Sequence, residues 1–334
     1  MPSKITAAVL RICGEPPAVE DRPEPIAAPG DLAVAVTAAP ITPLDLLCAS
    51  GASYFGTPQT PYVPGVQGVG RLVDDGSPVW FATSAGMRPG DGSMAARVAV
   101  PPSDVVRLPA DVPLPLIAAL GLSAVAALQA LRLGSRPPGA APGSPSEGEF
   151  ALPGAQVLIL GAGGMVGQAG IQLARLGGAS RVTAVARSAR ARARALELGA
   201  DETVELRADD DPASLASRLG GPFDVVLDPV FGVSAAGALR VLRPGGRLVN
   251  LGSSAAATAP IDSATLRSGM LQVLGYTNNS LTPAERAAAL TTIAAYAAAG
   301  SLTADHEVIP FASVTDGWSR QAAGTATGRI VLAL

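Results

Sequence analysis

Val157-Leu-Ile-Leu-Gly161-Ala-Gly163-Gly164-Met165-Val166-Gly167 is the stretch whose reading decides the fold. Its four apolar residues read as a short buried strand. The glycines that follow read as a sharp turn, and the residues beyond them as a helix. Such glycines allow a tight turn and a close approach of backbone to a pyrophosphate, while the helix N-terminus offers free N–H groups and a positive dipole to that anion. A glycine pattern alone is weak evidence; between a strand and a helix it points to a dinucleotide. The other reading is a turn whose glycines only relieve strain. The candidate cofactor contacts here are Gly161, Gly163, Gly164, Met165, Val166 and Gly167.

Working outward, strands and helices alternate. Strands are expected at 156–160, 181–186, 203–206, 223–228 and 247–251, and helices at 167–176, 190–198, 215–219 and 235–242. Short apolar strands separated by helices imply βαβ units and a parallel sheet covered on both faces. Residues 1–117 differ: Pro- and Gly-rich, with short Val-containing runs at 31–37, 69–73 and 96–100, they read as a β-rich domain. An apolar, Ala-rich helix is expected over 116–131, and a Pro/Gly/Ser-rich surface loop or hinge over 134–154. A helix over 283–299 and a strand over 328–334 close the chain. The expected organisation is therefore a β-rich domain over 1–117 with a C-terminal return over 271–334, and a doubly wound α/β domain over 118–270.

The end of the second parallel strand bears on the cofactor. About 20 residues past the glycine turn, NAD-binding folds place an acid that accepts hydrogen bonds from the ribose hydroxyls. The segment Ala186-Arg187-Ser188-Ala-Arg190-Ala-Arg192 has no carboxylate. Arg187 and Ser188, with Arg190 and Arg192 behind them, offer donors for a 2′-phosphate, which argues for NADPH. The other reading makes Arg190, Arg192 and Arg194 a solvated helix face.

Composition narrows the chemistry. The net charge of −3 over 334 residues, with 27 acids against 24 bases, is not built to neutralise nucleic acid. No unbroken apolar run approaches a membrane span, and the first residues carry no secretory signal pattern. The chain has two cysteines, Cys13 and Cys48, and one histidine, His306. Neither a structural nor a catalytic zinc site is readily assembled from that set, so no metal is expected. Two cysteines give no disulfide framework, and a reducing cytoplasm fits.

In this order, the segments resemble the medium-chain dehydrogenase/reductase family. Thr42-Pro43-Leu44-Asp45 is similar to its Asn-Pro-x-Asp segment, and Pro64-Gly65-Val66-Gln67-Gly68-Val-Gly70 to its Pro-Gly segment. Leu198-Gly-Ala-Asp201, Phe223-Asp-Val-Val-Leu-Asp228, Pro244-Gly-Gly-Arg-Leu-Val249 and Gly328-Arg329 follow. The turn spacing is similar to that of the zinc-independent quinone oxidoreductase and enoyl reductase branch. The metal-binding Gly-His-Glu of the alcohol dehydrogenases is replaced by Gly65-Val66-Gln67, and a Thr near the nicotinamide by Ala126.

The resemblance implies a Rossmann domain beside a GroES-like β domain, and a homodimer joined through Rossmann sheet edges. It implies NADPH as cofactor and hydride transfer to a C=C bond conjugated to a carbonyl, or to a quinone. Tyr54, which follows Gly51 after the Asn-Pro-x-Asp segment, is the implied proton donor; it reads equally as a packing tyrosine. Thr42, Asp228, Leu251, Gly252 and Tyr276 are further implied cofactor contacts, and Asp45, Asn250 and Asn278 implied substrate contacts. A nucleotide-binding protein of the same fold with weak or no turnover is the alternative.

Overall fold

In a computed structural model, the structure describes residues 3–135 and 151–334; the centre of the Pro/Gly/Ser-rich stretch lies outside the described residues. In chain order the elements begin with β1 (Lys4–Val9), β2 (Ala18–Pro23), β3 (Leu32–Pro40), α1 (Pro43–Ala49), β4 (Gln67–Leu72), β5 (Pro78–Ala82), β6 (Arg97–Val100), β7 (Val105–Arg107) and α2 (Leu114–Ser135). The alternating part follows: β8 (Gln156–Ile159), α3 (Met165–Leu176), β9 (Arg181–Ala186), α4 (Ala189–Glu197), β10 (Glu202–Glu205), α5 (Pro212–Leu219), β11 (Phe223–Asp228), α6 (Gly232–Leu239), β12 (Leu242–Asn250), α7 (Ser263–Ser268) and β13 (Gln272–Gly275). The chain closes with α8 (Pro283–Ala298), β14 (His306–Pro310), α9 (Val314–Ala322) and β15 (Arg329–Ala333).

Two compact units result: Met1–Leu122 with Thr282–Leu334, and Ser123–Leu281. The boundary expected at 270 moves to 281 because β13 pairs in parallel with β12 and so completes the second unit's sheet.

The first unit is β-rich. Its main sheet runs β14-β15-β3-β4-β5-β7, with β6 also paired to β3, beside a β1-β2 ladder. The alternation along β3 buries Val34 and Val36 against Phe81, Met94 and Trp318. In the second unit six strands run in the order β10-β9-β8-β11-β12-β13, all paired in parallel. β8 and β11 are buried almost throughout, as strands covered on both faces must be. The order reverses between β8 and β11, and the turns beyond the carboxyl ends of those two strands flank the crevice where doubly wound sheets take ligands.

α2 is long and apolar, though Ser123, Gln129 and Arg132 interrupt its apolar run. It has the length and composition to cross a membrane, but 67% of its apolar window is buried within the fold, as in a core helix. The helix also breaks at Gly121, where φ is 28° and ψ is −127°. The buried Gln67 side chain fills the space a Cβ would need there. Its Oε1 accepts from the Leu122 N–H at 2.7 Å and from Trp80 Nε1 at 3.1 Å. The amide released from the helix ladder thus finds a partner in a side chain.

Candidate functional site

The glycine turn of the second unit has the form of a phosphate cradle. Gly161 has φ of 63°, and a Cβ there would lie 2.6 Å from Val230 Cγ1. Gly164 caps α3 with no side-chain hydrogen bond, which leaves the first-turn N–H groups open to an anion. Gly163 and Gly164 are exposed, whereas Met165 and Gly167 are buried beneath them. Gly167 is small for packing: an added Cβ would stand 2.5 Å from the Gly161 carbonyl oxygen and 2.6 Å from Ala162 Cα. The Ala162 N–H donates to Val185 O at 2.9 Å, and the Leu160 N–H to Leu227 O at 3.0 Å, so both neighbouring strands brace the turn.

The carboxyl end of β9 lies beside that cradle, since a Cβ on Gly163 would meet Ala191 Cβ at 3.0 Å. Arg187 and Arg190 are exposed. Ser188 caps α4, its Oγ accepting from the Ala191 N–H at 3.2 Å. Arg192 braces the turn: its Nη1 donates to Arg187 O at 2.7 Å and lies 3.5 Å from Glu205. Arg194 pairs with Glu197 along the helix and is half-buried, so it is less solvated than the helix-face reading expects.

Asp228 is fully buried, and its carboxylate is hydrogen-bonded within the turn that follows β11. Oδ1 accepts from the N–H groups of Phe231 at 2.7 Å and Val230 at 3.1 Å, and Oδ2 from Asn250 Nδ2 at 2.9 Å. Burial pushes the carboxyl up from its ordinary value, and these bonds oppose that. Asn250 Nδ2 donates as well to Gly252 O at 2.8 Å, which joins the loops after β11 and β12. Gly252 runs against Pro229, whose carbonyl a Cβ would approach to 2.7 Å. Leu251 N–H donates to Asp228 O at 2.9 Å. Tyr276 and Asn278 stand just past the edge strand β13, joined by a 2.7 Å bond from the tyrosine hydroxyl to Asn278 Oδ1. Sequence reasoning missed Pro229, Val230 and Phe231, which line the turn after β11; the signal available was Asp-Pro followed by Phe231-Gly232.

In the first unit, Thr42 and Asp45 form a closed tie. Thr42 caps α1, its Oγ1 donating to Asp45 Oδ2 at 2.6 Å and its N–H to the same oxygen at 2.8 Å. Asp45 Oδ1 accepts from the N–H groups of Val66 at 2.9 Å and Gly65 at 3.1 Å. Both side chains are buried, and their polar atoms tie the start of α1 to the Gly65–Val66 backbone. Burial pushes the Asp45 carboxyl up, opposed by these bonds and by the charge of buried Arg329. Arg329 donates to Ile41 O at 2.8 Å, and its own burial lowers its pKa to about 10.

Tyr54 is 76% exposed, with its ring 4.2 Å from that of Phe55. Cys48 is fully buried, and burial with the nearby Asp45 charge pushes its thiol up to about 11. His306, the first residue of β14, has its Nδ1 2.9 Å from Ala304 O. Ala126 is buried in α2.

Residues 165–295 match the family described as zinc-binding dehydrogenase. The chain is 28% identical over 279 residues to an alcohol dehydrogenase of Rhizobium meliloti, covering 74% of this chain and 77% of that one. It superposes on the quinone oxidoreductase of Thermus thermophilus, solved also in complex with NADPH, with a TM-score of 0.76 and 30% identity, over 98% of this chain and all of that one. A mycobacterial quinone oxidoreductase shares the fold at a TM-score of 0.83 and 20% identity, over 99% and 100% of the two chains. The parallel sheet with its glycine cradle, the separate β-rich sheet and these likenesses together place the chain in the medium-chain dehydrogenase/reductase superfamily, as a nicotinamide-dinucleotide oxidoreductase.

Proposed function

We propose that this oxidoreductase uses NADPH to reduce a C=C bond conjugated to a carbonyl, or a quinone, without a metal. The observation that carries the cofactor choice is the carboxyl end of β9, where exposed Arg187 and the Ser188 cap stand next to the glycine cradle and residues 186–192 hold no carboxylate. The open N–H groups at the start of α3 would hold the pyrophosphate, and Arg187 the 2′-phosphate. The glycines fit that role: the two exposed ones present bare backbone, and Gly167 lets the helix seat against the turn. When bound, NADPH supplies the hydride. Tyr54 donates a proton or a hydrogen bond to the acceptor's carbonyl side, for which an exposed phenol is suited.

Metal independence rests on the ligand set. Cys48 is buried with a thiol that resists ionisation, and His306 sits on β14 facing a backbone carbonyl. Among the described residues no group of three or more His, Cys, Asp or Glu side chains comes together. The working form is a homodimer: β13 is the outer strand of its sheet, and Val273 on it is 41% exposed. Cytoplasmic residence follows from the cofactor and the two unpaired thiols.

The test is cofactor consumption with a panel of enones, quinones and saturated ketones, run with NADPH and NADH after chelation. Turnover with NADPH on the conjugated acceptors supports the reading. Turnover confined to saturated ketones and restored only by zinc overturns it. Tight NADPH binding without turnover on any acceptor would favour a binding protein of the same fold.

A further inference from the structure

The turn after β11 holds a backbone conformation that is costly for the residue in it. Phe231 has φ of 62° and ψ of −158°, a region that residues with a Cβ occupy only under strain. Gly232 continues at φ of 71°. The only other non-glycine residue with positive φ among the described residues, Met270, is 72% exposed and lies beyond α7. Phe231 instead follows the two residues that face the glycine cradle. A Cβ on Gly161 would meet Val230 Cγ1 at 2.6 Å and Pro229 Cγ at 3.2 Å.

Several bonds hold the strained residue. The Phe231 and Val230 N–H groups both donate to Asp228 Oδ1, and Asn250 secures the other carboxylate oxygen. Ser234 Oγ donates to Phe231 O at 2.8 Å, and the Ala255 N–H to Val230 O at 2.9 Å. The Phe231 ring is half-buried and packs on the core that includes Leu160, Val226 and Leu248. Strain persists where the surroundings over-determine it, and a buried carboxylate committed to two consecutive amides is such a surrounding.

We propose that Phe231 is a positioning residue: its clamped left-handed backbone fixes the Pro229–Val230 wall of the crevice before the dinucleotide enters. This rests on the dinucleotide reading of the glycine cradle. A wall ordered in advance removes a cost that binding would otherwise meet. Asp228 and Asn250 act by holding this turn.

Alanine and glycine at 231 separate this role from simple packing. Phe231→Ala keeps the Cβ and hence the strain, but loses the ring that anchors the turn. Phe231→Gly loses the ring too, yet adopts the same backbone without strain. NADPH affinity is read by titrating the cofactor's own fluorescence, and stability by thermal melting. The expected result is NADPH binding about tenfold or more weaker for Phe231→Ala, and within about threefold of the parent for Phe231→Gly. Both variants should melt lower than the parent, since both lose buried ring area. Packing alone gives the opposite order in affinity, because glycine removes more than alanine. Glycine binding no better than alanine, or alanine binding as the parent does, overturns the proposal. Should either variant fail to fold, Asp228→Asn serves: it keeps the side chain's size but sets its amide against that of Asn250. Its NADPH affinity is expected to fall about tenfold; parental affinity overturns the proposal. A parent protein that does not bind NADPH overturns the dinucleotide reading itself.

Discussion

Replacing Gly167 with alanine puts a methyl group where the first turn of α3 meets the glycine turn. The built Cβ lies 2.5 Å from Gly161 O and 2.6 Å from Ala162 Cα, both backbone atoms that cannot rotate away. Ordinary contacts between such atoms begin near ~3.5 Å, so the helix start must move by about 1 Å. Overpacking of this kind costs about 1–3 kcal/mol of stability. The same displacement pulls the first-turn N–H groups off the pyrophosphate. A charge-assisted hydrogen bond is worth about 1.5–3 kcal/mol, so losing one weakens NADPH binding by roughly 10- to 150-fold. Gly164→Ala is the control for stability: its Cβ would lie 3.5 Å from Gly161 O, an ordinary contact, so unfolding should shift by no more than about 0.5 kcal/mol. The assay pairs a denaturant melt with a fluorescence titration of NADPH. If Gly167→Ala melts with the parent and binds NADPH within about twofold, the turn is not the cradle described, and the argument from its geometry fails.

Other outcomes follow from the same structure. Arg187→Ala should lower NADPH affinity by about tenfold or more and leave NADH affinity unchanged, since one charged phosphate contact is removed; equal loss for both cofactors would contradict the 2′-phosphate role. Tyr54→Phe should lower turnover by up to about 10²-fold while NADPH affinity holds, because Tyr54 and the glycine cradle belong to different units. Unchanged turnover would make Tyr54 a bystander. Cys48 should resist alkylation in the folded protein at pH 8 while half-exposed Cys13 reacts; two rapid modifications would refute the burial. The folded Cys48 thiol, at about 11 against an ordinary 9.0, favours folding fully below pH 9 and loses that contribution as pH rises through 11. The parent should therefore lose stability over that window more steeply than Cys48→Ala.

The parallel half of the fold was legible because its signals are local. β9 and β11 fall on the expected residues 181–186 and 223–228, where apolar runs end in turn residues. The glycine turn was legible for the same reason. Where several partners decide an outcome, the sequence was silent. Thr42-Pro-Leu-Asp45 has the spacing of a capping box as well as of a family motif, and only the approach of Gly65 and Val66 shows that all its polar atoms are engaged. The break of α2 depends on Gln67, far before Gly121 in the chain, so no local pattern announces it. Leu242, expected to end a helix, instead opens β12, because Phe223 on β11 pairs with it. The bonds of Asp228 were not legible either: a carboxylate at a strand end gives no sign in sequence of which amides it will accept from.

The most direct test of the account follows the transferred hydrogen. The enzyme is given an enone and NADPH carrying deuterium at the transferable position, and the product is examined by mass spectrometry and NMR. Conjugate reduction gives a saturated ketone with the label on the carbon β to the carbonyl. An allylic alcohol with the label on the carbinol carbon would contradict it, and would assign the protein to carbonyl reduction instead.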